Sequence, residues 1–304
     1  MLRKSSDFMS VLTREYNEID EKQLENLLFL CGDNKKIFSI VRSKTYKFAY
    51  VAFIQDELVG ICVGWENTFH PSCIYFRIVS HPFYEKAGVN EALLYKIERL
   101  ESVNKPLQTS IWDHVEKSNN IYERARFEVI RKTYLPTLSI SSIEFNKYAT
   151  IDDDFALQTL EEVMVDDAMI KQLTMLVRSN YEASHRVNPV VTAPLDEWKK
   201  RIFADDTIVE GSYLYVDQMK KEIVAYSFLH ESDEVHMYEL GWCGCSNNAL
   251  KKWLPQLVQK QLKYAQQKGI QIMSGEFDTT DDYAMEVFKA FPFSFDSTWI
   301  TYRK

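Results

Sequence analysis

Glycine and proline are scarce in this chain, whose 304 residues include only 9 glycines and 8 prolines. This composition excludes collagen-like and other low-complexity proteins. No run of about 18 uninterrupted apolar residues occurs, so the sequence predicts no membrane-spanning helix. Residues 1–7 lead into no apolar segment of the kind a signal peptide has. We therefore expect a cytoplasmic protein that does not act at a membrane.

Cysteine is also rare, and its five residues show no disulfide-like or zinc-binding pattern. Cys243 and Cys245 form a C-x-C pair, but the sequence offers no second pair and no histidine cluster beside it. We expect no metal site and five reduced thiols, as is usual in the cytosol.

The chain has fewer basic than acidic residues. It contains 36 lysines and arginines and 44 aspartates and glutamates, which gives a net charge of −8. This balance disfavours a nucleic-acid backbone or an anionic membrane as the main partner. Hydrophobic residues make up 46% of the chain, which is enough for the cores of one large or two medium domains.

Apolar patterning predicts one order of elements that occurs twice. In the first half we predict a helix over residues 8–30, a hairpin over 47–63, strands over 73–79 and 107–112, a helix to residue 100 between them, a helix over 118–125, and strands over 127–132 and 136–145. In the second half we predict helices over 157–165, 168–184 and 194–203, a hairpin over 212–229, a strand over 235–245, a helix over 250–268, a strand over 270–277, a helix over 281–290 and a strand over 297–302.

This repetition suggests a tandem duplication with a break near residues 146–152. We therefore predict two α/β domains, residues 1–147 and 148–304. Each is expected to have a mixed sheet with helices on both faces.

The loop over residues 80–91 joins an apolar strand to a helix and contains Gly88. Such a loop can turn its backbone N–H groups toward an anion, and the helix start adds partial positive charge. A diphosphate would suit this site. The alternative is an ordinary strand-to-helix connection, which a single glycine does not exclude.

Residues 81–94 read His-Pro-Phe-Tyr-Glu-Lys-Ala-Gly-Val-Asn-Glu-Ala-Leu-Leu. They resemble the acyl-CoA loop of the Gcn5-related N-acetyltransferase (GNAT) family, whose usual form is H-P-x-Y-R-G-x-G-x-G-x-A-L-L. Residues 118–129 resemble the later N-x-x-x-x-Y-x-x-x-G-F segment of that family, and residues 279–293 resemble it again. The resemblance covers nearly the whole chain and is to a tandem-domain member. It implies two GNAT-like domains, each a mixed, mostly antiparallel sheet flanked by helices.

The sequence also departs from the family pattern. Glu85, Lys86 and Asn90 replace an arginine and two glycines, although Gly88 is kept and asparagine tolerates a positive φ better than most residues. In the second half, residues 249–254 take the place of the loop and contain no glycine, and Phe288 stands where Tyr122 stands in the first half. We therefore expect the acyl-CoA site in the first half.

The resemblance implies that acetyl-CoA is the co-substrate and that a primary amine of a small molecule or peptide is the acceptor. It implies a monomer or homodimer without a metal. The coenzyme-binding residues that it implies are Ile78, Val79, Ser80, Lys86, Ala87, Gly88, Val89, Asn90, Glu91 and Asn119. The alternative is a degenerate, non-catalytic pair of domains that binds a ligand or another protein.

Acetyl transfer requires a path for the ammonium proton, donors for the carbonyl and an acid for the leaving thiolate. The resemblance places Tyr122 as the acid, and the alternative is an aromatic residue of the core. It places Glu239 as a general base whose pKa burial would raise, and the alternative is a solvent-facing charge. Tyr181, His185 and Trp198 resemble the substrate side of tandem members, although His185 could also serve only to cap a helix.

Overall fold

The computed structural model describes residues 10–32, 35–101, 104–114, 121–145 and 154–304. The chain divides into two compact units. Unit 1 comprises Met1–Ile111, Val115–Ile130 and Thr301–Lys304, and unit 2 comprises Trp112–His114 and Arg131–Ile300. The predicted boundary between residues 147 and 148 falls outside the described residues and stays a prediction.

Unit 1 is built on a sheet in which β1 to β5 lie in chain order. Every neighbouring pair among them is antiparallel except β4 and β5, which are parallel. Residues 301–304 lie beside β5, where the backbones of Leu107 and Lys304 exchange hydrogen bonds of 2.8 and 3.0 Å. The elements are β1 (Val11–Glu15), α1 (Glu21–Leu30), α2 (Lys35–Arg42), β2 (Tyr46–Ile54), β3 (Glu57–Glu66), β4 (Ile74–Ser80), α3 (Val89–Ile97), β5 (Leu107–Trp112), the helical residues 121–124 (α4) and β6 (Glu128–Tyr134).

Helix α1 presents an apolar face at i, i+3 and i+4 to the sheet, where Leu24, Leu27 and Leu28 are buried against β2 and β3. Helix α3 packs on the same sheet at Gly60. A Cβ atom at that position would lie 2.5 Å from Cγ1 of Val89. The absence of a side chain at Gly60 thus sets how closely α3 approaches β3.

Unit 2 has a six-stranded sheet in the order β7-β12-β11-β10-β9-β8. Here too a single pair, β11 and β12, is parallel. The short strand β13 pairs separately with the end of β6, at Tyr134 and Thr133. The elements are β7 (Thr137–Ser139), β8 (Phe155–Thr159), α5 (Leu160–Val163), α6 (Asp167–Ser184), α7 (Leu195–Ile202), β9 (Tyr213–Asp217), β10 (Glu222–Glu231), β11 (Met237–Cys245), α8 (Leu254–Gln267), β12 (Ile272–Gly275), β13 (Phe277–Asp278), α9 (Asp282–Ala290) and β14 (Thr298–Arg303).

The predicted mixed, mostly antiparallel sheets flanked by helices are confirmed. Two predicted helices are wrong at their starts, because residues 11–15 and 155–159 form the strands β1 and β8. In each case a capping box follows the extended segment: Asn17 forms one with Asp20 after β1, and Thr159 forms one with Glu162 at the end of β8. Helix α2 was not predicted at all.

None of the helices within the described residues is both long and apolar enough to cross a bilayer.

Tyr302 tests how much residues 301–304 stabilise unit 1. Its side chain is 1% exposed, and its ring centroid lies 5.5 Å from that of Tyr122. We expect Tyr302→Ala to lower the free energy of unfolding by about 3–5 kcal/mol, the range for truncating a buried aromatic residue. Urea unfolding followed by circular dichroism measures it.

Tyr95→Ala is the matched control, because Tyr95 lies on α3 with 54% of its side chain exposed. It should cost less than about 1 kcal/mol. If Tyr302→Ala lowered the free energy of unfolding no more than Tyr95→Ala does, residues 301–304 would contribute little to the stability of unit 1.

Candidate functional site

In each unit the parallel strand pair diverges soon after it begins. Strands β4 and β5 pair only at Ile74 with Leu107 and at Tyr75 with Gln108, whereas β4 runs on to Ser80. Strands β11 and β12 pair from Met237 to Leu240, and β11 continues to Cys245. The result is a wedge-shaped opening bordered by a strand edge whose peptide groups can bond an extended ligand.

The register of unit 1 identifies the backbone groups that face its opening. The N–H of His81 donates to the carbonyl of Val59 at 2.8 Å. Because hydrogen-bonded and non-bonded pairs alternate in an antiparallel ladder, the peptide groups of Ser80 and Ile78 face away from β3, toward the opening. Those of Val79 bond to β3. The carbonyl of Ser80 already accepts a hydrogen bond from the Cys31 thiol at 3.3 Å.

The loop after β4 is fixed at its start by its own side chains. A 3₁₀ turn spans Pro82–Tyr84, and Nδ1 of His81 accepts from the N–H of Phe83 at 3.3 Å. The Tyr84 phenol donates to Glu57 at 2.6 Å, and the N–H of Ala87 bonds to the Tyr84 carbonyl. His81 is therefore a structural residue of this loop.

Gly88 ends the loop with φ 77° and ψ 22° and precedes the first turn of α3, where no side chain caps the helix. The first N–H groups of any helix lack partners within it, which here are those of Val89, Asn90 and Glu91. A Cβ atom at Gly88 would meet nothing within 4 Å, so space is open beside these donors. The N–H groups at this helix start are donors of the kind that bind anions. Among the described residues, Oδ1 of Asn90 is buried without a hydrogen-bond partner, but as an acceptor it does not add to such a site.

Charges of both signs lie around the loop. Lys86 is exposed, as are Glu85 and Glu91. Asn119 falls outside the described residues.

Tyr122 lies in an aromatic cluster of unit 1. Its side chain is 3% exposed, and its ring lies 5.6 Å from that of Phe127 and 6.0 Å from that of Phe76. Burial raises the pKa of its phenol well above the ordinary value, so the phenol keeps its proton at neutral pH. This position suits both alternatives, an acid that stays protonated and a core residue.

The opening of unit 2 is filled by side chains. The N–H of Ser246 donates to the carbonyl of Val224, so by the same alternation the carbonyl of Cys245 faces the opening. It accepts from Nδ2 of Asn180 at 3.3 Å and from the phenol of Tyr283 at 3.3 Å. Both bonds occupy the edge that an extended ligand would need.

The loop that follows β11 also differs from its counterpart in unit 1. A 3₁₀ helix spans Asn248–Trp253, and Pro255, in the first turn of α8, has no N–H to offer. The ring of Trp253 packs 4.7 Å from that of Phe155. The start of α8 therefore offers fewer backbone N–H donors than the start of α3 after Gly88.

No family model and no curated protein matches the chain. Solved structures match over nearly its full length. A Gcn5-related N-acetyltransferase from Sphaerobacter thermophilus is 12% identical, with a TM-score of 0.61, and the match covers 97% of this chain and 95% of that one. A tandem GNAT protein from the clavulanic acid biosynthesis pathway is 10% identical, with a TM-score of 0.52 and coverages of 97% and 98%. The chain has the tandem GNAT fold. At these identities the likeness establishes the fold alone.

Within the second GNAT-like unit, Glu239 lies on the paired part of β11, opposite His230 and Ser274, and its side chain is exposed. Two carboxyl groups that the sequence analysis did not single out have raised pKa values, although the Glu276 residue is itself exposed and Asp281 is half-buried. Burial raises the pKa of Glu276, which directly follows β12, and that of Asp281, which caps α9. A carboxylate next to a short apolar strand was the available sequence signal for Glu276.

The predicted substrate-side residues of this GNAT unit do come together. The ring of Tyr181 stacks on His185 at 3.9 Å and lies 5.3 Å from Trp198. Burial raises the pKa of Tyr181 to about 12, against the opposing effect of the nearby Arg131. His185 also ends α6, where its Nδ1 lies 2.9 Å from the carbonyl of Tyr181. Across the described residues, no three His, Cys, Asp or Glu side chains converge as a metal site would require.

Asp281 allows a test of the effect of burial on this site. Between the ordinary pKa of 3.8 and the raised value of the folded protein, the native state binds more protons than the unfolded one. Stability therefore falls as pH rises through this window. Asparagine caps helices as well as aspartate does, so Asp281→Asn should raise the thermal midpoint at about pH 7 and lose this gain near about pH 4.

Asp166→Asn is the matched control, because Asp166 caps α6 with the same two backbone bonds but is exposed. If both variants shift the midpoint equally at neutral pH, burial of Asp281 has no such effect.

Proposed function

We propose that the chain is an N-acetyltransferase in which unit 1 binds acetyl-CoA and transfers its acetyl group to a primary amine of a small molecule or peptide. The observation that supports this most directly is in unit 1, where an open strand edge leads to the left-handed Gly88 and the uncapped start of α3. Strand edge and helix start together suit a ligand with amide groups at one end and phosphates at the other. The tandem GNAT fold supports the same class of reaction.

In this proposal the peptide groups of Ile78 and Ser80 bond the amides of the pantetheine arm. The backbone N–H groups of Lys86 and of residues 88–91 hold the pyrophosphate, whereas the N–H of Ala87, also predicted to bind the coenzyme, bonds to the carbonyl of Tyr84. Lys86 offsets part of the charge of Glu85. Val79 contributes indirectly, because its peptide groups bond to β3 and this pairing holds β4 beside the opening.

The reaction forms a C–N bond and breaks the C–S bond of the thioester. The neutral amine attacks the carbonyl carbon, the sulfur leaves as a thiolate and takes up a proton, and the nitrogen loses one. Tyr122, whose phenol stays protonated, is the proposed donor to sulfur. The proton from nitrogen passes to water in this proposal, because Glu239, the predicted base, lies on β11 of unit 2 and would serve only a site of that unit.

We propose that unit 2, by contrast, binds no acyl-CoA. Asn180 and Tyr283 occupy the carbonyl that faces its opening, and Pro255 removes a donor from the helix start. Unit 2 thus matches the second candidate function, a non-catalytic GNAT unit that binds another ligand.

None of the five cysteines forms a disulfide, and four of them are buried. This agrees with the cytoplasmic location that we propose.

Substitution of Gly88 tests the coenzyme site. Gly88→Val places a β-branched residue at φ 77°, at a strain of roughly 1–2 kcal/mol, and puts a side chain into the open space beside the donors. We expect acetyl-CoA binding by isothermal titration calorimetry to weaken by about tenfold or more, which equals about 1.4 kcal/mol.

Gly269→Val is the matched control, since Gly269 has φ +80°, also lacks neighbours around a built Cβ, and follows α8 in unit 2. It should bear similar strain and leave acetyl-CoA affinity unchanged. If both variants bind as the wild type does, the site is not at Gly88; if the wild type does not bind, the non-catalytic alternative holds for the whole chain.

The role of Tyr122 is tested by Tyr122→Phe, which keeps the ring in its cluster. If the phenol protonates the thiolate, kcat for thiol release should fall about 100-fold or more, the low end of acid catalysis. KM for acetyl-CoA should stay near the wild-type value. An unchanged kcat in a variant of normal thermal stability would assign Tyr122 to core packing.

A further inference from the structure

A cavity of about 430 Å³ in unit 1 has no part in the acetyl-CoA proposal. Its volume falls within the range of small-molecule sites. One side is formed by the turn after β1 and the first residue of α1, and the other by the end of α2 and the start of β2. We call it the Tyr16 cavity, and the charged and aromatic side chains that line it are Tyr16, Glu18, Glu21, Arg42, Lys44 and Tyr46.

The cavity and the proposed coenzyme site lie at opposite ends of α1. This helix has 10 residues, so it is about 15 Å long. Glu21, its first residue, borders the cavity. Cys31, which follows its last residue, bonds to the carbonyl of Ser80 at the opening. A ligand in the cavity would therefore leave the acetyl-CoA site free.

Two ion pairs join the two sides of the cavity. Nε of Arg42 donates to Oε1 of Glu21 at 2.6 Å, and Nζ of Lys44 lies 2.6 Å from Oε1 of Glu18. The four charges cancel, so the lining carries no net charge. A carboxylate has more acceptor sites, and a guanidinium or an ammonium more donors, than one such pair uses. The lining thus offers acceptors and donors side by side.

The backbone is fixed on both sides of the cavity. The N–H of Tyr16 bonds to β2 at 2.9 Å, and the capping box of Asn17 and Asp20 follows it. At the end of α2 the N–H of Lys44 donates to the carbonyl of Val41 at 3.2 Å. Lys44 has φ 54°, a left-handed conformation in which glycine is usual after a helix. A ligand therefore meets walls that are already formed, which lowers the cost of binding.

Two tyrosine rings supply apolar surface beside these charges. Tyr16 and Tyr46 are half-buried, so both side chains remain accessible from the cavity. Val41, which is buried, also lines it. Each phenol can donate and accept a hydrogen bond, and so can an alcohol hydroxyl group. A ligand that combines an apolar face with many hydroxyl groups matches this lining.

A ligand with a net charge fits the cavity less well. An ammonium group would compete with Arg42 or Lys44 for a carboxylate, and an anion would lie beside Glu18 or Glu21. A neutral ligand leaves both ion pairs intact and bonds to the donors and acceptors that the pairs do not use.

We propose that the Tyr16 cavity binds a neutral polyhydroxylated ligand of the carbohydrate class. Its hydroxyl groups donate to Glu18 and Glu21 and accept from Arg42 and Lys44. The C–H face of its ring packs against the tyrosine rings. This site does not depend on the coenzyme, so the failure of acetyl transfer would leave it standing.

The test titrates the full chain with D-glucose, D-galactose and maltose by isothermal titration calorimetry at neutral pH. At least one of these sugars should bind with a Kd below about 10 mM. Gly88→Val, which should weaken acetyl-CoA, should leave this affinity unchanged. The two sites are thus tested separately.

Two substitutions of similar length remove one partner each from the same ion pair. Arg42→Met keeps an apolar stem beside the Phe38 ring, which lies 3.9 Å from the guanidinium, but removes its donors. Glu21→Met removes the acceptors. Each should weaken the bound sugar by about 10-fold, because each deletes a charge-assisted hydrogen bond.

The signs of these two effects distinguish the ligand classes. Only a ligand that both donates and accepts is weakened by both substitutions. An ammonium ligand would bind more tightly after Arg42→Met, which frees the Glu21 carboxylate, and an anion would bind more tightly after Glu21→Met. 1,5-Diaminopentane serves as the cationic probe, and Arg42→Met should not strengthen its binding.

Lys22→Met and Glu25→Met are the matched controls, because both residues are exposed on α1 outside the cavity. Each should change the sugar affinity by less than about threefold, as expected of an exposed charge. Thermal unfolding checks that the variants fold. Tyr46→Phe keeps the ring and removes only the phenol oxygen, so it tests the site even if an ion-pair variant does not fold. It should weaken the sugar about threefold or more.

Three results would overturn the proposal. These are the absence of binding by all three sugars below about 10 mM, a sugar affinity that folded Arg42→Met, Glu21→Met or Tyr46→Phe leaves unchanged, or diamine binding that Arg42→Met strengthens.

Discussion

Two parallel strands that begin side by side and then separate are the constraint on which each unit depends. A strand edge without a neighbour exposes peptide groups, and these must bond to something else, because a buried group without a partner is unstable. In unit 1 this condition applies to Ile78 and Ser80, and in unit 2 it applies to Cys243 and Cys245. The loops, helix starts and side chains around each opening differ according to how they meet this requirement.

The two units satisfy the peptide groups of the exposed strand edge in opposite ways. In unit 1, within the part of the chain that the structure describes, only the Cys31 thiol bonds to this edge, at the carbonyl of Ser80, and a glycine-ended loop follows the edge. Unit 2 covers the edge with an amide and a phenol that α6 and α9 supply. A duplicated architecture can thus keep one opening for a ligand while using the equivalent position of the other copy for internal packing.

The sequence predicted those parts of the molecule that short-range patterns determine. Both hairpins were predicted because alternating apolar residues flank a polar turn, and α6 and α9 because capping residues precede an apolar helical face. Strands β1 and β8 were missed because each is a short edge strand, and only pairing with β2 or β9 distinguishes it from the helix that follows. The site residues likewise divide into those with a local sequence pattern and those that only the fold brings together. The Gly88 loop has a local signature, whereas Asn180 and Tyr283 are 103 residues apart and only the fold brings both to the carbonyl of Cys245. Glu239 was chosen for its position within a strand, but its exposure depends on the neighbouring strands.

The placement of residues 301–304 in the sheet of unit 1 has a consequence for biosynthesis. The strand that lies beside β5 follows the main segment of unit 2 in the chain, so the N-terminal unit cannot complete its sheet before residues 131–300 have been synthesised. Domains usually fold in the order in which they emerge. Here the N-terminal unit must wait, with one side of β5 uncovered, until residues 301–304 have emerged.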